Sequence, residues 1–207
     1  MRENPASVCG PWQQWCGSDA AEREIRADLS AGNRSGAVSN TLAVYGCEVF
    51  GFVIAAIAEP QSGHDAYARF VGTLFHELPR FAWRCRLRTF VYFLACWQLR
   101  RMRPGPAIVA ITVETRQTLP APQQPAQRSV VAVVRRSLAP EDRELLVLRF
   151  DRGFDWREIA LTSLGEHASE RDLRAKSAEL HQRLWSLRLQ IARLTRRTAA
   201  RRAAWLA

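Results

Sequence analysis

Arg171, Arg174, Lys176, Ser177, His181, Gln182 and Arg183 bring together, on one short stretch of chain, the side chains that nucleic-acid recognition uses. Arg presents a planar fork to phosphates and guanine edges, Gln pairs with adenine, and His, Ser and Lys donate to bases or phosphates. Between them Leu173, Leu180, Leu184, Leu187, Ile191 and Leu194 recur at seven-, four- and three-residue steps, which is one apolar stripe on a helix. Such a helix either buries its leucines and offers its polar face to DNA, or carries a solvated basic face and nothing more. Ser169 followed by Asp172 marks its start, a Ser at the N-cap and a carboxylate three residues on.

The elements that must position this helix lie in LAPEDRELLVLRFDRGFDWREIA, residues 138 to 160. Pro140 suits a first helical turn, where its missing N–H costs nothing, and Glu141 and Asp142 suit the positive end of the helix dipole. Leu145, Leu146, Leu148 and Phe150 form the expected apolar face. Asp151-Arg152-Gly153 ends this helix, because Gly tolerates the left-handed conformation of helix ends. Asp155 caps a second short helix bearing Trp156, Ile159 and Ala160. Helix, tight turn, helix and then a long Arg-bearing helix is the order of a helix-turn-helix followed by its recognition helix.

The 207 residues carry a net charge of +10, which suits a polyanionic partner. Lys176 is the sole lysine, so the positive charge is almost wholly Arg. The five cysteines, Cys9, Cys16, Cys47, Cys85 and Cys96, form neither a C-x-x-C pair nor a Cys/His ligand set. They read as free thiols of a reducing cytosol, with Cys47 and Cys96 as small buried hydrophobes. His64, His76, His167 and His181 lack metal-ligand spacing, and no phosphate-cradling Gly loop or nucleophile elbow is present. No enzymatic activity, cofactor or metal is therefore expected. The N-terminus lacks a basic start followed by an apolar run, and the longest apolar candidate, Val49 to Ala58, is short and interrupted by Gly51. A cytoplasmic protein without membrane contact is the expectation.

Four segments follow. Residues 1–39 read as a mostly flexible extension around a short helix, Ala20 to Leu29. Residues 40–103 form a helical domain of about three helices. Residues 104–127 hold five prolines and read as a linker. Residues 128–207 form the second helical domain, so the fold class expected is all-α, with two small domains.

The stretch 138–160 resembles region four of bacterial RNA polymerase sigma factors of the extracytoplasmic-function group. Their pattern, roughly L-x-P-E-D-R-x-L-L-x-L-R and then W-x-E-I-A, is met by Leu138, Pro140, Glu141, Asp142, Arg143, Leu145, Leu146, Leu148, Arg149, Trp156, Glu158, Ile159 and Ala160. Residues 74 to 103 resemble region two of the same family through Leu74, Phe75, Leu78, Pro79, Phe81, Trp83, Arg88, Thr89, Phe90, Tyr92, Leu94 and Ala95. Both matches stand in the family's order and cover roughly residues 40 to 197.

The resemblance implies a region-two-like helical bundle and a region-four-like helix-turn-helix domain. It implies a sigma factor that binds core RNA polymerase and promoter DNA, initiates transcription, and has an anti-sigma factor as a further partner. The upstream promoter element falls to Arg171, Arg174, Lys176, Ser177, His181, Gln182 and Arg183. The region-two-like DNA contacts fall to Trp83, Arg84, Arg86, Arg88, Tyr92, Arg100, Arg101 and Arg103, with aromatics stacking on unpaired bases and arginines on phosphates. Polymerase binding falls to Asp65, Tyr67, Phe70 and Leu74. The chain departs from the family at Ala68 and Arg69, where Gln and Glu are usual, at Cys96 and Trp97, and at His181 and Gln182, which replace basic residues. Two other readings remain: a helix-turn-helix regulator of DNA that does not engage polymerase, and a degenerate protein-interaction module.

Overall fold

A computed structural model describes residues 19–57, 60–102 and 138–206, and every element among them is helical. The linker 104–127, Arg103, Cys9 and Cys16 lie outside the described residues. Helix α1 spans Asp19–Ser30, and Ala21, Ile25 and Leu29, four residues apart, turn one side of it onto the core. The segment expected as a flexible extension thus contributes a packed helix. Gly32, at φ 76°, makes the turn, and Asp28 holds it by accepting from Asn33 Nδ2 and Asn40 Nδ2, both at 2.9 Å. Asn33 then caps α2, its side chain accepting from the Gly36 N–H.

Helix α2 spans Arg34–Ala56 and starts before the boundary expected at residue 40. Gly51 does not interrupt it. By length and composition alone this helix, with a mean hydropathy of 1.5, is long and apolar enough to cross a membrane, unlike the shorter segment expected from sequence. Here Val38, Thr41, Tyr45, Val49, Phe52, Val53 and Ala56 lie on its buried face. Cys47 is exposed, against expectation, because it falls outside that stripe, whereas Cys96 is buried as expected.

Helix α3, Pro60–Glu77, runs into a 3₁₀ turn, Leu78–Arg80, and α4 follows at Leu87–Met102. In the second half α5, Pro140–Leu146, begins on Pro140 and ends in a π turn, Val147–Asp151. The extra residue of a π turn shifts the helical phase, and Phe150, expected on the apolar face, is 57% exposed. Gly153 at φ 69° reverses the chain. Asp155 and Glu158 close a reciprocal capping box on α6, Trp156–Leu164. Gly165 at φ 87° leads to α7, Glu170–Leu206, whose first turn is capped by Ser169 accepting from the Asp172 N–H at 3.2 Å.

One apolar cluster runs from Ile25 through Phe52, Tyr92 and Phe154 to Leu187, so the two halves share a core. Helix α4 is its centre: it packs on α2 and α3 on one side and on α6 on the other. Two glycines lie where the halves meet. A Cβ on Gly51 would sit 3.0 Å from the Arg152 guanidinium, and one on Gly165 would sit 3.4 Å from the Phe93 ring.

Candidate nucleic-acid interface

The leucine stripe of α7 sorts its polar residues. Leu173, Leu180, Leu184 and Leu187 are buried, so Arg171, Arg174, His181, Gln182 and Arg188 emerge on the opposite, exposed face. The other three expected readers flank the stripe and are engaged within the protein. Ser177 Oγ donates to Leu173 O at 2.7 Å or Trp156 O at 3.1 Å. Lys176 Nζ meets Glu179 at 2.7 Å, and Arg183 pairs with Asp142, with Glu141 3.9 Å away. The acidic first turn of α5 therefore anchors α7 through Arg183.

The exposed face is also set from below. The Trp156 and His181 rings meet edge to face with centroids 5.0 Å apart, and Arg149 lies 5.1 Å over the same indole. Arg157 hydrogen-bonds Glu170 at the start of α7 and holds that carboxyl below the ordinary carboxylate range.

In the first half the expected DNA contacts divide more sharply. Arg84, Arg86 and Arg101 are exposed. Arg88 instead pairs with Glu48 and donates to Arg152 O at 3.0 Å. Arg100 donates to Glu144 at 2.9 Å and to the Thr162 and Ser163 carbonyls at 3.3 Å, closing the C-terminal end of α6 from another part of the chain. Tyr92 is wholly buried between Phe52 and Phe154, with ring centroids 5.1 and 4.8 Å away. Burial, more than the neighbouring Glu48, pushes its phenol pKa far up. In this arrangement Tyr92 is unavailable to stack on a base, and Arg88 and Arg100 are committed to protein partners.

Sequence reasoning missed Trp97 as a surface group. It is 38% exposed, with the Arg101 guanidinium 4.6 Å over its ring. Their i, i+4 spacing on α4 is the signal that would have found the pair. Of the residues expected to meet polymerase, Asp65 is exposed and Tyr67 half-buried, but Phe70 and Leu74 have no exposed surface. They are a correction, because Ala66, Phe70 and Leu74, spaced by four, form the stripe that seats α3 on the core.

Loop 81–86, between the 3₁₀ turn and α4, carries three of the expected DNA contacts, Trp83, Arg84 and Arg86. Trp83 there holds φ 59°, a left-handed conformation that is uncommon for a bulky residue, with Arg26 4.2 Å over its ring and Phe81 4.7 Å beside it. Glu166 reaches the loop from the other half, accepting from Ala82 N–H at 3.0 Å and Arg84 N–H at 3.4 Å.

Cys85 in the same loop is half-buried, and burial first, then the Glu166 carboxylate, pushes its thiol up to about 12. At pH 8 it therefore stays a thiol, and a thiol is the unreactive form. In a peptide-resolved alkylation time course at pH 8, Cys47 should be modified well ahead of Cys85 and Cys96. Equal rates at all three would mean that the loop opens freely.

Among the described residues no cluster of His, Cys, Asp and Glu is arranged to hold a metal ion. Comparison with protein-family models, with curated proteins and with solved structures returns no match.

Proposed function

We propose that this protein is a sigma-type transcription factor that binds promoter DNA through the exposed face of α7 and delivers core RNA polymerase to it. One observation carries the DNA-binding part. The helix-turn-helix we read in α6, Gly165 and α7 buries the leucines of its last helix and leaves Arg171, Arg174, His181 and Gln182 exposed to solvent. The two-domain plan of such a factor, a region-two-like bundle and a region-four-like reader, belongs to the same proposal, as do its polymerase and anti-sigma partners and a cytoplasmic site of action.

Polymerase engagement rests on the region-two resemblance alone. The burial of Phe70 and Leu74 favours a second reading, a DNA-binding regulator that leaves polymerase alone. A pull-down of core polymerase by the full chain at low salt separates the two. Retention supports the sigma reading, and its absence alongside a salt-dependent shift of duplex DNA supports the regulator. Absence of both leaves a protein-interaction module.

Base reading should lie with Gln182 and phosphate contact with Arg171 and Arg174. In titrations against a selected and a scrambled site, Gln182→Ala should cost about 1–3 kcal/mol on the selected site only. Arg174→Ala should weaken both sites alike and lower the salt slope. Arg183 is paired with Asp142, so its substitution should act through the seating of α7 on α5. Equal losses on both sites from Gln182→Ala would reduce α7 to a charged surface.

A further inference from the structure

We infer that the cleft between α4, α5, α6 and α7 binds a small carboxylic acid with an apolar body, held on a bed of leucine and isoleucine with its carboxylate on Lys176. The cleft has a volume of about 240 Å³. A cavity of ~150 Å³ lined by such side chains takes up a benzene ring, so there is room here for a ring and a carboxyl group. Leu145, Leu148, Ile159 and Leu180 line the cleft and are buried. Leu164 lines it too and is 43% exposed, an apolar side chain left for the body of a ligand to cover. Covering it removes apolar surface from water, which drives such binding.

The charges select an anion. Arg100, Lys176 and Arg183 stand against Glu141 and Glu144 along the cleft, an excess of one cation. Glu144 answers Arg100, and Asp142, with Glu141 3.9 Å away, answers Arg183. Lys176 is held by a surface partner, Glu179, one turn on in the same helix at 2.7 Å. The Glu179 side chain is 58% exposed and that of Lys176 27%, so the cation is the one drawn toward the cleft. A pair of this kind is worth little and gives way cheaply to a better acceptor. The sole lysine of a chain whose other cations are arginines thus lines this cleft. A compact ammonium meets one carboxylate in a narrow space where a planar guanidinium fork needs more room. Where α7 reads DNA, an acid seated here acts on the reader helix from its packed side, through Lys176 and Leu180. The binding itself does not depend on that reading.

The test is a methyl-resolved NMR titration of the full chain with three probes: benzoate, its uncharged counterpart benzamide, and acetate, which keeps the carboxylate and lacks the ring. Benzoate should move the methyl resonances of Leu145, Leu148, Ile159 and Leu180 and saturate near ~1 mM, an affinity in keeping with so small a molecule. Benzamide and acetate should each bind at least about tenfold more weakly, the first for want of a charge-assisted bond and the second for want of apolar contact. Lys176→Gln should weaken benzoate about tenfold and leave benzamide unchanged. Arg69→Gln, which removes an exposed cation from α3, should leave both unchanged, and so separates the cleft from a change in net charge. If Lys176→Gln folds poorly, the three probes on the parent protein still decide. Equal binding of benzoate and benzamide, or of benzoate and acetate, overturns the assignment of an amphipathic acid. Benzoate binding at full strength in Lys176→Gln overturns the role of Lys176 and with it the proposal. Absence of a saturable benzoate shift at these methyls overturns the site itself.

Discussion

Replacing Phe154 by alanine should lower the stability of the whole protein by about 3–5 kcal/mol, the cost of deleting a buried aromatic ring. Phe154 is wholly buried, its ring is 4.8 Å from that of Tyr92, and the Arg88 guanidinium lies 4.5 Å over it. Its backbone is bonded within the second half, to Leu148 and Arg149, while its ring meets Tyr92 and Arg88 of the first. The cavity would open beside Tyr92, whose buried hydroxyl lacks a hydrogen-bond partner and offers no compensating contact. Because one core spans both halves, the loss should appear in both. Chemical denaturation should show a single transition displaced to lower denaturant. Native-state hydrogen exchange should show α4 amides losing protection along with those of α6. A variant in which α4 keeps its parental protection while α6 loosens would mean that the halves unfold separately.

Arg100→Ala should cost about 2–3 kcal/mol, toward the lower end of the range for broken buried pairs because the Arg100 side chain is 34% exposed. Three bonds go at once: the one to Glu144, itself 7% exposed, and those to the carbonyls of Thr162 and Ser163. Burial draws the guanidinium pKa down and Glu144 more than offsets it, so the cation is more firmly charged here than in water. Arg101→Ala is the informative neighbour. It removes an equal charge from an exposed side chain stacked on Trp97, and its stability should change by less than about 0.5 kcal/mol. If DNA reaches α4, Arg101→Ala should weaken it and lower the salt slope, while Arg100→Ala acts mainly through stability. Parental stability in Arg100→Ala, measured by the same denaturation, would show that the contact between α4 and α6 is dispensable.

Local chemistry made much of this protein legible in its residues. The stop at Gly153, the capping box of Asp155 and Glu158, the Ser169 start of α7 and its leucine stripe are each set by neighbours within a turn or two, and the structure has them where the sequence placed them. The all-α class follows from such signals. The exposed donors of α7 follow too, because a stripe of leucines fixes the opposite face. The sequence placed helix α1, but its packing onto the core and the early start of α2 were less legible, since short apolar spacings such as Ala21, Ile25 and Leu29 gain meaning only once a core exists to receive them.

Tertiary structure alone decided which arginines are available. Arg88, Arg100 and Arg101 are the same residue type on the same helix. One pairs with Glu48, forty residues away; one pairs with Glu144, forty-four residues away; the third lies in solvent over Trp97. A guanidinium binds a carboxylate or a phosphate with the same fork, so sequence cannot say which one it meets. The same holds for Glu166, an unmarked acid in a turn until folding brings it to the amides of Ala82 and Arg84, more than eighty residues back along the chain.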